Sequence, residues 1–113
     1  MSKSKLNILW TNPDPITARE MLFKYALNSR RQGWWDEVLV IIWGGPAELV
    51  AEQYEIQDLL RECIEEGVEF SACKSCTDNL KVSETLQSLG VEIVYWGEKL
   101  THILKDDEKL ITI

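Results

Sequence analysis

Five apolar residues in succession, Val38-Leu39-Val40-Ile41-Ile42, stand directly before Trp43-Gly44-Gly45-Pro46. An unbroken apolar run of this length fits a strand covered on both faces, as strands of parallel sheets are. The glycine pair and the proline end it, so a strand is expected over 36–43. Upstream, residues 5–11 carry Leu6, Ile8, Leu9 and Trp10 and read as a second buried strand. The turn Asn12-Pro13-Asp14-Pro15 follows. Asp14 suits a helix N-cap and Pro15 the first helical position, where a missing N–H costs nothing. That helix is expected to reach Gln32, with Ala18, Met21, Leu22, Tyr25 and Ser29 on its inner face, and Gly33 ends it.

Downstream, Ile56, Leu59, Leu60, Cys63 and Ile64 fall at helical spacing, with an interruption expected near Tyr54-Glu55. Gly67 closes this helix. Residues 68–72 read as a third strand, Cys73-Lys74-Ser75-Cys76 as a turn, and 77–88 as a helix ended by Gly90. A fourth strand over 91–96, a short helix over 98–104 and a fifth strand over 109–113 complete the chain. Alternating strands and helices imply an α/β fold with a parallel sheet and helices on both faces. Residues 1–113 form one domain.

Composition supports a folded core and narrows the partners. The chain has 113 residues. Surface scaling gives roughly 6,300 Å² exposed when folded against roughly 19,000 Å² unfolded, enough burial for a core without staples. Twelve Lys and Arg against nineteen Asp and Glu give a net charge of −7. The longest basic cluster is Arg30-Arg31, so no nucleic-acid partner is expected. No apolar run reaches the roughly 18 residues of a membrane span, and no membrane partner is expected. Met1-Ser2-Lys3-Ser4-Lys5 has no leader-like apolar stretch, so the expected location is cytoplasmic. Three cysteines do not make a disulfide framework.

In open parallel sheets, ligands bind beyond the carboxyl ends of the strands. Those ends are Trp10-Thr11-Asn12, Trp43-Gly44-Gly45, Cys73 and Trp96-Gly97-Glu98. Trp10, Trp43 and Trp96 either seal the core edge there or wall a pocket around Cys73. Trp34 and Trp35 fall at the opposite rim and read as structural or as a subunit contact. The cysteine pair is the strongest chemical signal. A helix N-terminus beside it, with Lys74 adjacent, favours the thiolate that attacks sulfur.

The competing chemistries lack residues. A structural zinc site needs four ligands, and Cys63, Cys73, Cys76 and His102 include no second close pair, so no metal is expected. Cys63 sits on an apolar helical stripe and reads as core. His102 reads as a surface or capping residue, with a proton-shuttle role open. A thioredoxin-like enzyme would place its cysteine pair after the first strand of its core motif, whereas here it follows the third. No nucleotide fingerprint or hydrolase motif is present, and no cofactor is expected.

The chain resembles the DsrE/DsrF-like family of small sulfur-relay proteins. The likeness runs through Ile8-Leu9-Trp10-Thr11-Asn12, Val40-Ile41-Ile42-Trp43-Gly44 and Ser71-Ala72-Cys73-Lys74-Ser75-Cys76. It continues through Leu89-Gly90-Val91-Glu92, Tyr95-Trp96-Gly97-Glu98 and Leu100-Thr101. The resemblance implies a three-layer α/β/α fold around a mainly parallel five-stranded sheet. It also implies self-association, as a trimer or hexamer, and protein partners that donate and accept sulfur. Cys73 is the position matching the family's persulfide-carrying cysteine. Relatives of similar pattern often have glycine after the leucine at the Leu80 position, where this chain has Lys81.

Two functional readings follow. In the first, Cys73 carries sulfane sulfur as a persulfide, Cys76 resolves it, Thr11, Asn12 and Gly44 line the site, and Trp10, Trp43 and Trp96 exclude water. In the second, the protein is a non-catalytic oligomeric module whose tryptophan-lined rim binds a ligand or partner beside redox-sensitive cysteines.

Overall fold

The computed structural model describes residues 4–113, so Met1 to Lys3 of the N-terminal segment read above for a leader lie outside the described residues. The sheet has five strands: β1 Lys5–Trp10, β2 Glu37–Ile42, β3 Glu69–Cys73, β4 Glu92–Val94 and β5 Leu110–Thr112. Their order is β4-β3-β2-β1-β5, and every pair is parallel.

Between β1 and β2 runs a continuous helix, α1, made of Pro15–Thr17, a π-helical stretch Ala18–Phe23, and Lys24–Arg31. The other helices are α2 Gly45–Glu52, α3 Tyr54–Glu65, α4 Lys74–Asn79, α5 Ser83–Ser88 and α6 Gly97–Lys105.

The strand order explains the layers. From β1 to β4 the chain steps one way across the sheet, so right-handed crossovers stack their helices on one face. Leu22 and Phe23 of α1, Val50 of α2, Leu60 of α3 and Leu86 of α5 share a core there with Leu6, Ile8, Val40, Ile42 and Ala72. The chain then returns over the sheet to β5, which lays α6 on the other face. That layer is thin: Ile103 and Leu100 of α6 meet Ile41, Cys73 and Trp96, while Leu9, Leu39 and Leu110 are only partly covered. Asn7 ties the return down, because its backbone N–H and its Nδ2 both donate to the Lys109 carbonyl, each at 3.0 Å.

Helix α1 starts as its sequence dictates. Asp14 caps it, accepting the Thr17 N–H at 2.9 Å, with Pro15 in the first turn. Its inner face differs from the expected one. Ala18, Leu22, Phe23, Ala26 and Ser29 are buried, whereas Met21 is 41% exposed and Tyr25 only partly covered. The π-turn is the reason, since one extra residue per turn rotates all that follows and carries Phe23 inward in place of Met21.

The helix expected over 77–88 is two helices, α4 and α5. Lys81 lies between them with φ +61°, in the left-handed region that disfavours any residue with a Cβ. Lys81→Gly is expected to raise the unfolding free energy by about 0.5–1 kcal/mol, the relief of backbone strain less the entropy glycine regains on unfolding. Urea denaturation checks it; a loss of stability would contradict the strain argument.

Candidate functional site

Strand β3 delivers Cys73 to the carboxyl end of the sheet as its last residue, and Cys73 is also the N-cap of α4. Cys76 lies one helical turn on. Residues of one strand alternate faces, so Ser71 and Cys73 both point toward α6. Cys73 is 5% exposed and packs with Ile41, Trp96 and Ile103, while half-buried Cys76, Trp43 and Val94 border the same cluster. All three cysteines are free thiols.

Trp96 forms one side of this cluster. Its Nε1 donates to Ser71 Oγ at 2.8 Å, and Ser71 Oγ in turn donates to the Glu92 carbonyl at 3.1 Å. The buried indole is thereby fixed without an unpaired donor. Ser71 was missed as a positioning residue, although its place two residues before Cys73 on a strand puts both on one face. Tyr95 was missed as well; it is exposed and faces Lys74 Nζ, 5.8 Å from its ring centre.

The electrostatics correct the expected picture of the turn. Lys74 does not offer a free charge, because its Nζ pairs with Asp78 Oδ2 at 2.7 Å, which raises the lysine pKa. Asp78 also accepts from Ser83 Oγ at 2.6 Å. Cys76 is not turned into a ready thiolate. Burial, first of all, pushes its pKa up, partly offset by the Gly44 backbone N–H acting on its sulfur and reinforced by the neighbouring Cys73.

The remaining residues read from the sequence fall in three places. Trp43 and Gly44 lie at the end of β2 beside the cysteine pair. Thr11 and Asn12 lie at the end of β1, one strand further away. Both their N–H groups and the Thr11 hydroxyl donate to the Ile113 carbonyl, and Asn12 Oδ1 accepts the Asp14 N–H. Trp10 does not reach the rim. It is fully buried on the face opposite α6, edge-on to Phe23 with ring centres 5.5 Å apart, and its Nε1 donates to the Asn12 carbonyl.

His102 is exposed on α6, at a cavity of about 280 Å³ that Lys5, Glu69 and Glu92, the starts of β1, β3 and β4, line together with Trp96. At the same end of the sheet, Trp35 Nε1 donates to the Tyr25 hydroxyl, and Trp34 lies 57% exposed against the Tyr25 ring.

Cys63 belongs to the core, as read. It is 1% exposed, its thiol faces the Phe23 carbonyl at 3.8 Å, and burial pushes its pKa up to about 12. Native protein is therefore expected to alkylate at Cys76 well before Cys63, which should react only on unfolding. The sign of the linkage follows. Above the ordinary thiol pKa, roughly 8.5, the unfolded chain releases this proton and the folded one keeps it, so stability falls with pH by up to about 1.4 kcal/mol per unit until about 12. Urea denaturation of the parent and Cys63→Ala across this range isolates the slope. Equal slopes would contradict the assignment.

Among the described residues, no group of three or more His, Cys, Asp or Glu side chains is placed to hold a metal ion. No described helix is long and apolar enough to cross a membrane.

Taken together, the sheet order and the strand-end cysteines define an α/β protein with a pair of free thiols at its carboxyl rim. The DsrE/DsrF-like family model matches residues 36–113, and the chain belongs to that family, for which sulfur relay is the role at family level. A conserved protein of unknown function from Bacteroides thetaiotaomicron is 38% identical over 97% of this chain and 95% of its own, with a TM-score of 0.95. The ychN protein of E. coli shares the fold at 20% identity and TM-score 0.70, over 96% of this chain and 97% of its own. A protein of unknown function from Methanobacterium thermoautotrophicum shares it at 14% identity and TM-score 0.76, over 96% and 98%. No curated protein matches the chain.

Proposed function

We propose that this protein is a cytoplasmic sulfur carrier that holds sulfane sulfur as a persulfide on Cys73, with Cys76 as the thiol that resolves it. The observation that carries this reading is the seat of Cys73: a free thiol at the end of a central strand, walled by Trp96 and Ile41, with a second free thiol one helical turn away. A persulfide in such a seat is shielded from soluble reductants. Its outer sulfur is the atom passed on, and its inner sulfur is the one Cys76 attacks to give a disulfide and release sulfide. Trp43 and Gly44 border the approach, and self-association together with donor and acceptor proteins fits the family.

The test is intact mass after incubation with inorganic polysulfide and removal of the donor, repeated after reductant. One retained sulfur per chain, or a chain two hydrogens lighter where Cys76 has closed the disulfide, is expected, and reduction returns either to the starting mass. Reduction matters because two added oxygens have nearly the same mass, and a sulfinic acid would survive it. An unmodified chain would overturn the reading in favour of a non-catalytic oligomeric module that binds a ligand or partner at its tryptophan-lined rim.

A further inference from the structure

The two thiols are unequal in access, and that inequality orders the relay. Cys73 is 5% exposed within its apolar cluster, whereas Cys76 is half-buried at the margin and reachable from solvent.

We infer that Cys76 is the thiol that first takes sulfur from outside and hands it inward to Cys73. This rests on the sulfur-carrier reading above. In the first step the Cys76 thiolate attacks the terminal sulfur of a polysulfide, HSₙ⁻. A new S–S bond forms, the terminal S–S bond of the donor breaks, and Sₙ₋₁²⁻ leaves with its electron pair. In the second step the Cys73 thiolate attacks the outer sulfur of the Cys76 persulfide. The Cys76 S–S bond breaks, its electron pair stays on Cys76, and the persulfide is now on Cys73. Neither step needs an oxidant or reductant beyond the polysulfide. A thiol whose pKa is raised by burial has a smaller thiolate fraction but a stronger nucleophile in it, so loading should quicken as pH rises.

The experiment is quenched-time peptide mapping of sulfur during reaction with inorganic polysulfide. In the parent, Cys76 is expected to be labelled first and Cys73 afterwards. Cys76→Ser should load Cys73 about tenfold or more slowly, because the buried thiolate must then meet the donor itself. Cys73→Ser should leave the sulfur on Cys76, with none passed inward. Unchanged Cys73 loading in Cys76→Ser, or Cys73 labelled before Cys76 in the parent, would overturn the order while leaving the carrier intact. No sulfur on either cysteine in the parent would instead overturn the carrier reading, and this inference with it.

Discussion

Trp10→Ala is expected to lower the unfolding free energy by about 3–5 kcal/mol, the usual cost of emptying a large aromatic site in a core. Trp10 is fully buried at the end of β1, in a row with Ile42 of β2 and Ala72 of β3. Its ring meets Phe23 edge-on, and Phe23 in turn lies 6.2 Å from Phe70. Truncation removes all of that contact and leaves the Asn12 carbonyl without its indole donor. Trp10→Phe should cost much less and should leave sulfur loading at the parent level, since the ring lies on the face away from Cys73. Urea denaturation and mass spectrometry of both variants check this. A Trp10→Phe variant that folds but fails to load would contradict the placement of Trp10 away from the site.

Cys73→Ala should reduce the sulfur retained after donor removal by about tenfold or more while leaving the fold in place. The stability cost is small, because one sulfur in a loosely capped layer is worth about 1 kcal/mol of burial. What is lost is the seat. In the variant, sulfur taken up on Cys76 stays at the margin, open to reductant and to a second thiol. Retention after a chase with a small thiol should therefore separate variant from parent far more than the initial uptake does. Equal retention would remove Cys73 from the assignment.

Much of this was legible in the sequence, for identifiable reasons. The apolar run of β2, the Asp14-Pro15 cap of α1 and the break near Tyr54 are local signals, and the structure shows a strand, a cap and a helix boundary there. The cysteine pair was legible from spacing alone, since a two-residue gap after a strand puts both thiols on one turn. The failures were not local. Whether α1 winds as an α- or a π-helix depends on how Phe23 and Met21 compete for one core, which propensity does not encode. Trp10 was assigned to the rim because it ends a strand, but a strand end faces one of two layers. Only the register, Trp10 beside Ile42 and Ile42 beside Ala72, shows that it faces the layer opposite Cys73. His102, by contrast, is an exposed residue of α6, as its surface reading expected.

The measurement that tests the central claim most directly is fragment mass spectrometry locating the retained sulfur in the loaded parent. The account predicts a reducible single-sulfur addition on the peptide that carries Cys73, with Cys63 unmodified. Sulfur retained on Cys63 or only on Cys76, or an accessible Cys73 that stays bare, would contradict it.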